Sequence, residues 1–122
     1  MTTRTSDLTV LVDAENVRRS RWPNVGREEL IDLCRDSAQK RGYRAIVVFD
    51  GRAPRGGSDD HCLVIGSEDA SADDVLARTA SDLGASGKRH WLVTSDRELR
   101  ARAGGKAERT IGGGAFLREL DA

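Results

Sequence analysis

Acidic residues in this chain fall where chemistry is possible. Asp13 directly follows the apolar run LTVLV, with Glu15 and Asn16 just beyond it. Asp50 follows AIVVF, and Ser95-Asp96 follows HWLVT. Asp73 and Asp74 stand two and three positions after Ser71, at the start of a helical pattern. Buried strands read as short, near-continuous apolar runs, and in open α/β sheets the ligand crevice lies beyond their carboxyl ends. If the strands are parallel, these acids share one edge. Carboxylates gathered there raise one another's pKa unless a cation is present. Oxygen-only sites of this kind suit Mg²⁺ or Mn²⁺. Near a phosphodiester, such an ion can lower the pKa of an attacking water and stabilise the pentacovalent charge.

Each acid also has a plainer reading. Asp13 can begin a turn, Asp50-Gly51 is an ordinary turn signal, and Asp73 and Asp74 stabilise a helix start. Asp96 at the first turn of a helix is favoured by the dipole alone. The signal is in their shared edge, not in any one of them.

Those acids need elements to hold them. Strands are expected at 8–12, 45–49, 61–65, 90–94 and 107–111. One helix opens at Glu28 and Glu29, carries Leu30, Leu33, Cys34 and Ala38 at helical spacing, and closes at Gly42. A second starts at Ser71, buries Val75, Leu76, Thr79, Ala80 and Leu83, and ends at Gly84. Ser95 and Glu98 have capping-box spacing for a short third helix. Gly112 to Gly114 lead into a closing helix with Phe116, Leu117 and Leu120. Between the first strand and first helix lies an arginine-rich loop, VRRSRWPNVG; DGRAPRGGSDD is a second, glycine-rich loop. Strand alternating with helix predicts an α/β chain with a mainly parallel sheet of four to five strands, covered on both faces. At 122 residues the whole chain forms one domain, with residues 1–7 frayed.

Composition narrows the classes. Charged residues make up 33% and aromatic ones 4%, so the core must be aliphatic. The 20 basic and 20 acidic residues cancel, but unevenly along the chain. Arg18 to Arg27 holds four arginines and no acid, whereas Asp59 to Asp82 holds seven acids against Arg78. Lys88 to Arg109 holds seven bases against three acids. An acidic site bordered by basic segments would serve a metal-dependent enzyme acting on a phosphate polymer; solvated helix faces would look the same in one dimension. Cys34 and Cys62 fall in apolar patterns and read as reduced core thiols. No zinc spacing exists, and no apolar run approaches the length of a membrane span. A cytoplasmic location is expected.

Taken together, LVDAEN, VVFDGR, SADDVLAR, VTSDRELR and GGGAFLREL, in this order, resemble the YacP-like branch of the NYN domains, within the PIN-like ribonuclease superfamily. The resemblance runs from Leu8 to Leu120 and implies a three-layer α/β/α PIN-like (Rossmann-like) fold with a metal-dependent nuclease site acting on RNA. By position, Asp13, Asp73 and Asp96 match the family's acids, Asn16 its nearby polar residue, and Asp50 the acid of the FDG loop. Asp74 is then a supporting residue or a cap, and Ser95 a supporting residue. The family often has glycine and an aromatic between the first Asp and Asn, where Ala14 and Glu15 stand here; Glu15 is read as an added ligand or a solvated residue.

The expected function is a Mg²⁺- or Mn²⁺-dependent endoribonuclease. Asp13, Asp73 and Asp96 hold the metal, with Asn16, Asp50, Asp74 and Ser95 in support. Arg18, Arg19, Arg21, Arg52 and Arg55 contact the RNA backbone, since guanidinium forks match phosphate oxygens. Trp22 either stacks on a base or packs under its loop. The expected partner is RNA, ribosome-associated mRNA included, and not a membrane. The alternative is a catalytically weak RNA-binding or ribosome-associated adaptor of the same fold. A nucleotide binder is disfavoured: no GxGxxG follows the first strand, and GGKAERT lacks Walker spacing.

Overall fold

The computed structural model describes residues 7–56 and 58–121. Most of the expected frayed segment, residues 1–6, lies outside that range. Five strands form one sheet: β1 (Thr9–Asp13), β2 (Arg44–Phe49), β3 (Cys62–Gly66), β4 (His90–Val93) and β5 (Arg109–Ile111). Every neighbouring pair is parallel, in the order β3-β2-β1-β4-β5. The helices are α1 (Ala14–Arg18), α2 (Arg27–Arg41), α3 (Ala72–Ala85), α4 (Arg97–Ala103) and α5 (Gly113–Asp121).

Alternation along the strands builds the layers, because successive side chains point to opposite faces. Val10, Val12, Val47, Phe49 and Val93 pack with Val17 of α1, Leu30 and Cys34 of α2, and Phe116 and Leu117 of α5. Leu11, Ile46, Val48 and Leu92 face the other way, onto Leu76 and Ala80 of α3 and Leu99 of α4. The result is the expected three-layer α/β/α arrangement. Cys34 and Cys62 are buried free thiols within the first of these clusters.

Topology decides where a site can form. From β1 the chain steps outward to β2 and β3, then returns to place β4 on the other side of β1. Connections therefore leave β1 and β4 in opposite directions, opening a crevice at their carboxyl ends. The register pairs Val12 with Val93, so Asp13 and Thr94 come next, side by side. Asp13 keeps the parity of Leu11, and Thr94 that of Leu92, which turns both toward the α3–α4 layer.

Three local expectations are corrected. The segment after Asp13 is not all loop: Ala14–Arg18 forms a helix that buries Ala14 and Val17, too short to show a helical period. Gly84 does not end α3, which continues to Ala85. A Cβ at Gly84 would lie 2.7 Å from Lys106 Cδ, so glycine there admits a neighbouring side chain. Ser95 does not cap α4; Asp96 does, its Oδ1 accepting from the amides of Glu98 and Leu99.

Candidate active site at the carboxyl edge of the sheet

Asp13 is 7% exposed, the most enclosed acid of the rim. Thr94 Oγ1 donates to its Oδ2 at 2.9 Å and accepts from the Asp96 amide at 3.1 Å. One threonine hydroxyl thus joins the end of β1 to the turn that follows β4. Burial pushes the Asp13 carboxyl up to about 6. The Thr94 hydrogen bond opposes that rise, the Asp73 charge adds to it, the Asn16 amide opposes it, and the Asp50 charge adds again.

The acids of α3 separate cleanly. Ser71 caps the helix through a 3.1 Å bond from the Asp74 amide to Ser71 Oγ. Asp50, at the end of β2, accepts from the Ala72 amide at 2.8 Å and so ties the start of α3 to the rim. Asp73 is held above the usual carboxylate range by partial burial and then by the charges of Asp96 and Asp50. Asp74 instead points to Arg102, 2.7 Å away, whose hydrogen bond and charge hold its carboxyl below the usual range. Asp73 belongs electrostatically to the rim, whereas Asp74 is neutralised on the surface.

Asn16 and Ser95 knit the other wall. Asn16 Oδ1 accepts from the Ser95 amide at 2.8 Å, and Ser95 Oγ accepts from the Gly113 amide at 3.0 Å. A Cβ at Gly113 would sit 3.1–3.2 Å from Ser20 Oγ, Val17 Cα and Asn16 Oδ1, a tight fit that those neighbours must yield to accommodate. Helix α1, absent from the sequence expectation, is what aims Asn16 across the crevice. Two residues that sequence reasoning missed brace the same turn. Thr94 was visible only as a strand end, and Arg100 donates through Nε to the Thr94 carbonyl at 2.7 Å.

Glu15 is partly buried and engaged by arginines. It pairs with Arg18 at 2.6 Å and approaches Arg27 at 3.9 Å. Arg18 also donates to the Val25 carbonyl at 2.8 Å, so it closes the base of the loop after α1. Arg19 and Arg21 are exposed; Arg19 Nε donates to the Glu15 carbonyl, and Arg21 pairs with Asp121 at 3.0 Å. Arg52 and Arg55 are exposed on the loop after β2, Arg55 lining a cleft with Glu28 and Asp32 of α2. Trp22 is 87% exposed, which rules out packing under its loop.

The donor set suits a hard cation in chemistry. Asp13 Oδ2, Asp50 Oδ1 and Asp96 Oδ1 hold protein partners, leaving each with a second oxygen for another ligand. Asp73 adds a further carboxylate whose proton affinity the other acids raise. Among the described residues, however, no three His, Cys, Asp or Glu side chains converge tightly enough to hold an ion by themselves. The acids are coupled across the crevice through their charges.

A parallel sheet that reverses order at an acid-lined crevice, closed on both faces by helices, is the arrangement of a PIN-like domain of nuclease type, and comparison with known proteins agrees. The YacP-like NYN domain family matches residues 9–122, and the chain belongs to that family. Among solved structures it is similar to Rae1 (YacP) from Bacillus subtilis. A single-substitution mutant of Rae1 matches at 25% identity and a TM-score of 0.74, over 93% of this chain and 74% of that one. The crystal structure titled simply Rae1 (YacP) matches at 24% identity and a TM-score of 0.72, over 93% and 73%. No curated protein sequence matches the chain. NYN domains are generally nuclease domains, and PIN-like nucleases typically use divalent metals. Among the described residues no helix is long and apolar enough to cross a membrane.

Proposed function

We propose that this chain is a Mg²⁺- or Mn²⁺-dependent endoribonuclease that hydrolyses RNA phosphodiester bonds at the β1–β4 crevice. The observation that carries the reading is Asp13. It is a buried carboxylate pushed up to about 6 by enclosure, with acidic neighbours, at the switch point of a nuclease-type fold. An acid perturbed by enclosure and by neighbouring charges, sitting in a cleft, is a candidate functional group with a physical rationale.

In this reading Asp13, Asp73 and Asp96 hold the cation, directly or through water. When bound, such an ion lowers the pKa of an attacking water and offsets charge building on the phosphate oxygens. Thr94 and Asn16 keep Asp13 and the Ser95-Asp96 turn in register, and Asp50 fixes the start of α3 that carries Asp73. Asp74, neutralised by Arg102, stabilises that helix instead of binding the ion. Arg19, Arg21, Arg52 and Arg55 contact RNA phosphates, while Arg18 braces the loop that presents two of them. The substrate is RNA in the cytoplasm, ribosome-associated mRNA included.

The test is cleavage of a mixed cellular RNA pool with Mn²⁺ or Mg²⁺ by wild type, Asp13→Asn and Asp96→Asn. Asparagine caps a helix about as well as aspartate, so the second variant keeps α4. Metal-dependent cutting should fall about 100-fold or more in both variants, the usual scale for a group that acts directly on the chemistry. The carboxylates' failure to converge on one point favours the adaptor as the second reading. Wild type that binds RNA but cuts none with either metal would establish the adaptor and overturn the enzyme.

A further inference from the structure

Trp22 is unlike every other large apolar side chain among the described residues: it is 87% exposed, and the next, Leu63, is 38%. It stands in a loop whose base is fixed on both strands of the chain. The Val25 amide donates to the Arg18 carbonyl at 3.1 Å, and Arg18 Nε returns a 2.8 Å bond to the Val25 carbonyl. The buried Val25 side chain anchors the same point. An indole presented this way offers both faces to solvent at little further ordering cost.

Next to it lies a cleft of about 260 Å³ lined by Ser20, Arg21, Gly114, Leu117, Arg118 and Asp121. One buried glycine separates the cleft from the rim. Gly113 donates to Ser95 and lies against both Asn16 Oδ1 and Ser20 Oγ. Arg118 is exposed with no ion-pair partner among the described residues, and Arg21 reaches only the exposed Asp121 at 3.0 Å and Glu29 at 3.9 Å. Acids, a cationic cleft and an exposed aromatic are therefore carried on neighbouring segments, with Gly113 between rim and cleft and Arg21 beside Trp22. Their chemistry matches the phosphate and base of a nucleotide next to the one being cut.

We infer that Trp22 is a stacking platform for an unpaired base of the RNA flanking the cleaved bond, with Arg21 and Arg118 taking the intervening phosphate. This rests on the nuclease reading and adds a preference for single-stranded RNA on the α1–α5 side of the site. A base in a duplex cannot offer its face to an indole, so paired RNA loses the contact. Asp121 competes with the phosphate for Arg21.

The test is binding of a short fluorescent oligouridylate in EDTA, where metal-dependent cutting is blocked. Wild type, Trp22→Ala, Trp22→Phe and Asp121→Asn are compared, with metal-dependent cleavage measured alongside. Trp22→Ala should weaken binding about tenfold or more, the scale of one lost base stack, whereas Trp22→Phe stays within a few-fold of wild type. Asp121→Asn should tighten binding, and wild-type tryptophan emission should be quenched by the RNA in a way that Trp22→Phe abolishes. Trp91 remains as an internal reference, its indole bonded to Glu108. If wild type binds and Trp22→Ala binds equally well, the platform is overturned while the nuclease reading stands. If wild type neither binds nor cuts RNA, the nuclease reading has failed and the platform falls with it.

Discussion

Enclosing the Asp13 carboxylate costs the folded protein free energy whenever that group is ionised. Its pKa is about 6 in the fold against an ordinary value of 3.8. Below the lower value both folded and unfolded chains are protonated there, and the site carries no penalty. As pH rises between the two values the fold holds a proton that the unfolded chain has released, so stability falls. Above the upper value the penalty is complete, about 3 kcal/mol at about 1.4 kcal/mol per pH unit. Asparagine keeps the shape and can still accept from Thr94. Asp13→Asn should therefore raise the melting temperature by several degrees at pH 8 in EDTA and leave it nearly unchanged at pH 3.5. Thermal melts at the two pH values check this. Equal shifts at both, or none, would mean that Asp13 is not held out of water. The same variant should lose metal-dependent activity, so a gain in stability accompanies a loss of function.

At the scale of elements, the site is held where strand ends meet helix starts, and glycines set how close they come. Gly113 is pressed between Ser20, Val17 and Asn16, whereas a Cβ on its neighbour Gly114 would meet nothing nearer than 3.7 Å. Gly113→Ala should destabilise the chain by about 1 kcal/mol or more through overpacking and displace Asn16, lowering cleavage. Gly114→Ala, inside α5, should be neutral or slightly stabilising, since alanine favours helix. Denaturant melts of the two variants decide it, and equal effects would remove Gly113 from the account of the site.

Much of this framework was legible in the residues. The apolar runs placed β1 to β4 to within about a residue, and the acids that follow β1, β2 and β4 fall on one edge of the sheet. What the sequence hid was short or cooperative. Helix α1 is too brief to show a period, and Thr94 gains its role only once the β1–β4 register sets it beside Asp13. The choice between Asp73 and Asp74 depended on where α4 would put Arg102. The fate of Trp22 depended on how a loop would close.

For the whole molecule, net charge says little because the two signs are unevenly placed and partly paired. Three of the seven bases from Lys88 to Arg109 are paired in space: Arg89 with Glu108, Arg102 with Asp74, and Arg109 with Glu119. On the segment after α1 the balance differs, since Arg19 makes no ion pair among the described residues and Arg21 is held only by exposed acids. A chain of zero net charge can thus keep a cationic approach beside an acidic crevice, which is the field a metal site needs in order to meet a polyanion.

Activity depends on which carboxylates face that crevice, and α3 supplies a matched pair to ask. Asp73→Asn and Asp74→Asn remove the same charge from adjacent residues of one helical turn. The measurement is the rate of Mn²⁺-dependent RNA cleavage by each variant beside wild type, with melting curves to confirm that both fold. Asp73→Asn should lose activity about 100-fold or more, while Asp74→Asn stays within about threefold of wild type. Equal activity in the two variants, or the larger loss in Asp74→Asn, would contradict the site described.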